Sequence, residues 1–255
     1  MALLEVSGLT KSFGGLTAVS ELNFQIQAGE LLSIIGPNGA GKTTLFNLLA
    51  GIYKPTSGTI TFNGMNMTRC KPYQVVRSGI GRTFQRTTIF RQSTVLDNVI
   101  IGRSLHAKVG VWGSVLRTSA NCREEQKTQE KAREVLSFVG LADKESRMAG
   151  SLTEEAQKRL SISMALATGP KLLLLDEPTG GVNLEEISGL MELVGKIRQS
   201  GITICLIEHK MRMVMSISDR IIVLSYGKKI AEGTPKEVAS NGEVIRAYLG
   251  ARYAA

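Results

Sequence analysis

Apolar and polar residues alternate along three stretches in the first quarter of the chain, which is the pattern of β-strands with one buried face. These stretches are residues 3–13, 22–27 and 58–64, and turn-forming Pro, Ser and Gly residues precede the third. We therefore predict an antiparallel β-layer near the start of the chain.

Three other stretches are continuously apolar, which is typical of strands buried on both faces of a parallel sheet. They lie within residues 30–51, 171–178 and 201–209. The first runs into a glycine-rich turn and then an amphipathic helix. These patterns predict an α/β fold with a parallel core sheet.

The middle and the end of the chain follow different patterns. Residues 86–165 have helical periodicity without a convincing strand, and 123–141 is the clearest amphipathic stretch. Two strands joined at Tyr226-Gly227 and a helix are predicted near the end. We predict a single domain over 1–255, with a core formed by 1–85 and 166–255 and an inserted helical subdomain at 86–165.

The composition is that of a globular protein with a sizeable core. The chain has 255 residues, of which 43% are hydrophobic. Its longest apolar runs, such as 172–175 and 221–224, are much shorter than the roughly 20 residues of a membrane-spanning helix. Because the acidic Glu5 precedes any basic residue, we expect no secretory signal and a cytoplasmic protein.

The cysteines and the net charge restrict the chemistry only in part. Cys70, Cys122 and Cys205 are far apart, which fits a reducing compartment and argues against a metal cluster. The net charge of +9 is compatible with nucleic acid, anionic lipid or a nucleotide as ligand. A solvated basic face is an equal alternative for the densest group, which is Arg82, Arg86, Arg91, Arg103, Lys108 and Arg117.

The strongest motif lies between the first core strand and the helix after it. Residues 36–44, GPNGAGKTT, match the phosphate-loop pattern G-x-x-x-x-G-K-[ST]. Its backbone N–H groups can surround phosphate oxygens, Lys42 can reach the β- and γ-phosphates, and the Thr43 hydroxyl can bind Mg²⁺. The predicted nucleotide-binding residues are Gly36, Pro37, Asn38, Gly39, Ala40, Gly41, Lys42, Thr43 and Thr44.

Two carboxylates end the apolar strand within 171–178. Asp176 is suited to hold Mg²⁺, directly or through water, and Glu177 is suited to polarise an attacking water molecule. Two acidic side chains at the end of an apolar strand are costly unless a cation lies nearby. Together with the phosphate loop, the pair predicts hydrolysis of a nucleoside triphosphate.

With these motifs, the chain resembles the ATP-binding subunits of ABC transporters over essentially its whole length. The resemblance implies a P-loop NTPase fold, ATP and Mg²⁺ as cofactors, and an ATPase activity that drives transport. It also implies that Phe13 stacks on adenine, that Gln85 contacts Mg²⁺ or the attacking water, and that His209 contacts the γ-phosphate. The loop expected to cross to a second subunit is Gly180, Gly181, Val182 and Asn183.

Within that family, the chain is most similar to ATPases of branched-chain amino acid importers. The similarity lies in residues 79–85, 94–102, about 103–125 and 219–250. It implies membrane permease subunits and, indirectly, a periplasmic solute-binding protein as partners, and no nucleic acid. It also implies a peripheral position on the inner face of a prokaryotic plasma membrane. Related importers take urea, short amides or other amino acids, so the solute stays open.

The helix predicted after residue 150 departs from the family's pattern. We predict Ser151 as its N-cap, with Glu154 three residues later as in a capping box. The family's signature at this position is leucine-serine-glycine-glycine-glutamine or a near variant. The corresponding residues here are Leu152, Thr153, Glu154, Glu155 and Ala156.

This divergent signature predicts two unequal ATP sites. In the family, two subunits meet head to tail, and each signature binds the γ-phosphate of ATP held by the other. A carboxylate about 5 Å from one phosphate charge costs on the order of 3 kcal/mol at a dielectric of ~20. An acidic residue in the first turn of a helix stabilises that helix by only ~0.3–1 kcal/mol. Repulsion therefore dominates unless the glutamates turn away or pair with arginines.

We accordingly predict a heterodimer with a different ATPase subunit that carries a normal signature. The site on this chain's phosphate loop hydrolyses ATP, and the site facing residues 153–156 works poorly. A homodimer with two weakened sites is one alternative. A soluble ABC ATPase of assembly, repair or translation, and a regulatory ATP-binding module with little turnover, are the others.

Overall fold

The computed structural model describes residues 2–83, 89–103 and 119–253. Its strands form two sheets, and the first is the predicted antiparallel layer. Strands β1 (Ala2–Phe13), β2 (Leu16–Gln27), β4 (Ser57–Phe62) and β5 (Met65–Asn66) lie in the order β2-β1-β4-β5. The alternation that predicted this layer is confirmed by burial, since Leu4, Val6 and Leu9 of β1 point into the core.

The second sheet is the predicted parallel core. Its strands are β3 (Leu31–Ile35), β6 (Ile80–Arg82), β7 (Leu172–Asp176), β8 (Thr203–Ile207), β9 (Arg220–Ser225) and β10 (Lys228–Gly233). They lie in the order β10-β9-β3-β8-β7-β6, and all pairs except β9 with β10 are parallel. Every residue of β3, β7 and β8 is buried, as their apolar sequences predicted. The α/β fold is therefore confirmed.

Helices connect these strands and form most of the middle of the chain. They are α1 (Lys42–Leu49), α2 (Pro72–Arg77), α3 (Val95–Arg103), α4 (Ser119–Val139), α5 (Glu154–Leu166), α6 (Leu184–Gln199), α7 (Met211–Ile217), α8 (Pro235–Ala239) and α9 (Gly242–Tyr253). The amphipathic stretch at 123–141 forms the greater part of α4, and the two strands predicted near the end are confirmed as β9 and β10. The single helix predicted after them is instead two helices, α8 and α9.

Contacts divide the chain into two compact units, 1–82 with 171–178 and 194–255, and 83–170 with 179–193. The first unit contains both sheets, and its main core joins Leu4 and Phe24 of the antiparallel layer with Ile34 and Leu172 of the core sheet. In the second unit, α3, α4 and α5 pack against one another. The division predicted from the sequence, with a helical subdomain at 86–165, stays a prediction.

The predicted helix cap at Ser151 is wrong. Helix α5 begins at Glu154, and its N-cap is Thr153, whose hydroxyl accepts the backbone N–H of Ala156 at 3.3 Å. Ser151 lies in a short 3-10 turn and donates its hydroxyl to the carbonyl of Met148 at 2.8 Å. The buried Leu152 separates this turn from the helix in an extended conformation, so the capping box from Ser151 to Glu154 does not form.

Candidate active site

A tight turn joins β3 to α1 and contains the predicted phosphate loop. Gly36 has φ 151°, and a Cβ built there would lie 2.1 Å from the carbonyl oxygen of Leu224. Gly41 has φ 99°, and its Cβ would lie 2.4 Å from the carbonyl oxygen of Ala18. Only glycine fits at these two positions, because neighbouring backbone from β2 and β9 approaches the loop closely.

Lys42 lies inside this loop and fixes its shape. Its side chain is buried, and Nζ donates to the carbonyl oxygens of Gly36 at 2.7 Å and Pro37 at 2.9 Å. Burial lowers the pKa of Lys42, and the nearby Glu177 and Asp176 carboxylates act in the opposite direction. An ammonium group has three N–H donors. The loop is therefore already closed around a cation that can donate a further hydrogen bond to an anion.

The other residues of the predicted loop are placed for contact with a ligand. Asn38, Gly39 and Thr43 are exposed, whereas Ala40 is buried. Helix α1 begins at Lys42, so its first N–H groups face the loop, and oriented N–H groups at a helix N-terminus favour phosphate binding. Thr44 is half-buried in the first turn of this helix.

Phe13 ends β1 and is 41% exposed. It meets the ring of Tyr53 edge to face, with ring centres 5.3 Å apart and an angle of 76° between the planes. The Lys11 ammonium lies 4.8 Å from the centre of the Phe13 ring. Tyr53 thus packs against the Phe13 ring, and the exposed part of Phe13 leaves an aromatic surface that suits stacking on a base.

Asp176 is the last residue of β7 and is 1% exposed. Its Oδ2 accepts a hydrogen bond from Nη2 of Arg82 at 3.0 Å. Burial raises the pKa of Asp176, and the hydrogen bond and charge of Arg82 oppose that increase. The positive charge that offsets Asp176 at the end of this apolar strand is therefore the guanidinium of Arg82, a residue of the protein itself.

Glu177 follows directly and has a strained backbone. Its φ is 49°, a left-handed conformation that costs a residue with a side chain about 1–3 kcal/mol. Its backbone N–H donates to the carbonyl of Ile207 at 2.9 Å, and its Oε1 lies 2.8 Å from Nε2 of His209. The strands β7 and β8 are paired neighbours, so the carboxylate and the imidazole meet at the same edge of the sheet. The structure thus brings two separately predicted site residues, Glu177 and His209, into direct contact.

A bound Mg²⁺ fits this donor set. Among the described residues, no group of three or more His, Cys, Asp or Glu side chains could hold a metal ion. Mg²⁺ does not need such a group, since it is usually held by one or two carboxylates together with phosphate oxygens and waters. Asp176 is such a carboxylate, and the Thr43 hydroxyl is the oxygen that the phosphate-loop pattern provides for Mg²⁺. Gln85, the third predicted metal contact, lies outside the described residues.

The divergent signature at the start of α5 lies in the second unit. Glu155 forms an ion pair with Arg159 one turn later, and Arg159 also donates to the carbonyl of Val139 at 3.0 Å. Glu154 turns towards Gly181, where a Cβ would lie 3.0 Å from its Oε2. Within the described part of the chain, Glu154 has no ion pair. The two glutamates are therefore not equivalent, because only one has its charge balanced.

The predicted dimer loop lies in the same unit. Gly180, Gly181 and Asn183 are exposed, whereas Val182 is buried and donates its N–H to the carbonyl of Thr179 at 3.3 Å. The carbonyl of Asn183 accepts the N–H groups of the first turn of α6. The loop is therefore anchored by one apolar side chain and presents a glycine-rich backbone to solvent.

Arg82 is the functional candidate that the sequence analysis missed. It belongs to the basic group for which a solvated face is an equal alternative in the sequence, but its side chain is only 8% exposed. It lies at the end of β6, a strand of three residues that the hydrophobic pattern did not indicate. The pairing of β6 with β7 in the structure brings Arg82 and Asp176 to one edge of the sheet, and the sequence contains no signal for this pairing.

Comparison with known proteins assigns the arrangement to a family. The family model described as ABC transporter matches residues 19–180, from β2 to the first residue of the predicted dimer loop. The chain belongs to the ABC transporter family. A second model, described as branched-chain amino acid ATP-binding cassette transporter, matches residues 228–254 at the end of this ABC cassette.

Full-length relatives agree with this membership. The ABC cassette is 43% identical over 249 residues to the high-affinity branched-chain amino acid transport ATP-binding protein LivG of Salmonella typhimurium, which covers 97% of this chain and 98% of that protein. It is 33% identical over 258 residues to the probable LivG protein of Archaeoglobus fulgidus, covering 99% of this chain and 97% of that one.

A solved structure of an ABC transporter cassette in an ADP conformation is 31% identical and superposes with a TM-score of 0.85, covering 98% of this chain and 99% of that one. The predicted ABC ATPase fold is thereby confirmed, and the family binds nucleotide. Among the described helices, none is both long and apolar enough to pass through a membrane.

The close approach at Gly41 gives a prediction about stability. A Gly41→Ala variant should unfold at lower urea concentration than the wild type, with a loss of about 2–4 kcal/mol, because its Cβ meets the Ala18 carbonyl in a left-handed conformation. Gly15→Ala is the matched control, since Gly15 has open space and no positive φ. Equal urea midpoints for the two variants would contradict the packing described for this loop.

Proposed function

We propose that this chain is the ATP-hydrolysing subunit of an importer for branched-chain amino acids. It acts at the cytoplasmic face of a prokaryotic plasma membrane, docked on permease subunits that receive solute from a periplasmic binding protein. The observation that carries the hydrolytic part is the contact between Glu177 and His209 in the unit that holds Lys42 within its phosphate loop.

ATP binding follows from the geometry of the loop. The triphosphate lies against the backbone N–H groups of residues 36–44, and Lys42 donates its third N–H to a phosphate oxygen. Adenine stacks on the exposed part of the Phe13 ring, which packs against Tyr53. Thr43, Asp176 and Gln85 are the residues that would hold Mg²⁺, which neutralises phosphate charge when bound.

Hydrolysis depends on Glu177. Its carboxylate orients and polarises the attacking water, and its strained backbone and the hydrogen bond with His209 fix its position. His209 is 43% exposed at its side chain, so the imidazole is also accessible to a bound nucleotide, and we infer that it contacts the γ-phosphate. One residue thus positions the carboxylate and senses whether the γ-phosphate is present.

The unequal environment of the two glutamates refines the proposed asymmetry. Arg159 balances Glu155, which reduces its repulsion of a phosphate on a partner subunit. Glu154 keeps its charge at the exposed start of α5 and lies beside Gly181 of the proposed dimer loop. We infer that Glu154 is the main reason why ATP binds poorly at this signature, and that the second ATPase subunit supplies the intact signature for this chain's own loop.

The solute is inferred from the relatives. LivG of Salmonella typhimurium is named a branched-chain amino acid transport protein, and the C-terminal family match carries the same designation. A strain lacking this chain should lose high-affinity uptake of labelled leucine, isoleucine and valine, and the gene supplied in trans should restore it. Unchanged uptake of all three, with lost uptake of urea or short amides, would assign the importer to another solute.

A further inference from the structure

Arg82 joins three elements of the first unit at the carboxyl edge of the core sheet. Its guanidinium donates to Asp176 at the end of β7 at 3.0 Å and to Oδ1 of Asn47 in α1 at 2.7 Å. The guanidinium carbon lies 5.7 Å from the centre of the Phe46 ring, also in α1. This single side chain therefore connects the helix after the phosphate loop with the proposed metal-binding carboxylate.

The contact between Arg82 and Asp176 pairs opposite charges in the interior, where water hydrates neither side chain well. The Asp176 side chain is 0% exposed and the Arg82 side chain 8%. A buried carboxylate is costly without a counter-charge, and so is a buried guanidinium. Asp176 is thus already compensated by a fixed positive charge before any metal ion arrives.

A divalent cation at the same carboxylate has to overcome this charge. Arg82 and Mg²⁺ repel each other, and a site of low dielectric strengthens that repulsion. The triphosphate brings several negative charges to the loop that contains Lys42, and these charges favour a cation beside Asp176. The electrostatic attraction of a divalent cation to the site at Asp176 is therefore weaker in the empty protein than in the nucleotide-bound protein.

We propose that Arg82 is the resident counter-ion of Asp176 and keeps its affinity for Mg²⁺ low until a nucleotide is bound. It is a positioning residue, since it acts through the carboxylate. The proposal rests on the proposed function in one respect, namely that Asp176 is the carboxylate that holds the metal ion. Arg82 thereby makes metal binding conditional on the nucleotide.

A purely structural role for Arg82 gives different expectations. If Arg82 only ties α1 to β7, its loss should lower stability and disorder Asp176, so that metal binding weakens. If it is a counter-ion, loss of its charge should strengthen metal binding even where stability falls. Arg82→Gln removes the charge and retains hydrogen-bonding groups, whereas Arg82→Lys retains the charge. Arg77→Gln is the matched control, because Arg77 is exposed in α2 and faces the Tyr73 ring.

The test measures Mn²⁺ binding to the full-length protein by electron paramagnetic resonance, without nucleotide and with ADP. Without nucleotide, R82Q should bind Mn²⁺ roughly tenfold more tightly than the wild type, R82K and R77Q. With ADP, the difference should shrink to a few-fold, because the phosphates then supply most of the attraction. Thermal unfolding of each variant shows which of them retain the fold.

The remaining outcomes separate the two proposals. Mn²⁺ affinity of R82Q equal to or below that of the wild type overturns the counter-ion role of Arg82. If Asp176→Asn leaves Mn²⁺ binding with ADP unchanged, the assignment of Asp176 as the metal carboxylate fails instead. If R82Q does not fold, Mn²⁺ binding to the wild type without nucleotide is the deciding measurement, and the proposal expects it to be weak. Tight binding that is abolished in D176N would contradict a resident counter-ion.

Discussion

Replacing Glu177 with glutamine is expected to lower the ATPase rate of the assembled transporter by at least about 100-fold, while MgATP still binds. Glutamine keeps the size of the side chain and can still contact His209, but it cannot polarise a water molecule as a carboxylate does. The phosphate loop and Lys42 are untouched, so the affinity for ATP should change by no more than about threefold.

Phosphate release and equilibrium binding of a fluorescent ATP analogue measure these two quantities. Glu5→Gln is the matched control, since Glu5 is an exposed carboxylate of β1 outside the proposed site, and it should leave both unchanged. His209→Ala should fall between the two, because it removes the contact that positions Glu177 at 2.8 Å. An unchanged ATPase rate in Glu177→Gln would refute the hydrolytic role of this carboxylate.

Removing the charge of Glu154 is expected to change the ATPase rate in the opposite direction. Glu154→Gly should raise the ATPase rate of the assembled transporter up to about twofold, because a phosphate can then approach the N-terminus of α5 without repulsion and the second site adds its own turnover. Glu155→Gly should have a smaller effect, since Arg159 already balances that carboxylate. The double variant should lower the activation free energy by little more than the sum of the two single variants.

Glu154→Gln separates charge from close approach. If repulsion is the cause, glutamine should recover a large part of the increase, although its side chain still occupies the position of a glycine. Glycine in the first turn also costs the helix about 1 kcal/mol, so each rate is compared at a temperature at which all variants remain folded. A rate that falls or stays constant in both Glu154 variants would mean that the divergent signature does not limit turnover.

The sequence was a good guide wherever a pattern repeats or a motif has one geometry. Alternation predicted the antiparallel layer, and apolar runs predicted β3, β7 and β8. The glycines within residues 36–41 predicted a tight turn, and their positive φ angles explain why glycine is present there. Glycine spacing is informative here because the backbone of β2 and β9 approaches too closely for any side chain.

Contacts between distant segments were beyond such patterns. The strand β6 is too short for a period, so Arg82 could not be placed beside Asp176, which lies more than ninety residues later. The predicted cap Ser151 matched a capping pattern, but the buried Leu152 lies between it and the helix, so that Thr153 is the cap; a capping pattern does not contain burial. Similarly, the sequence spacing permitted a Glu155–Arg159 pair, but only the side-chain positions distinguish Glu155 from Glu154.

The most direct test of the account counts the ATP molecules that one transporter hydrolyses in a single turnover. The assembled transporter, saturated with labelled MgATP and then mixed with unlabelled ATP, should release about one labelled phosphate in the first rapid phase for each pair of ATPase subunits. The Glu177→Gln variant of this chain should abolish that phase. Two labelled phosphates per pair, or a rapid phase that survives Glu177→Gln, would contradict a single active site on this chain's phosphate loop.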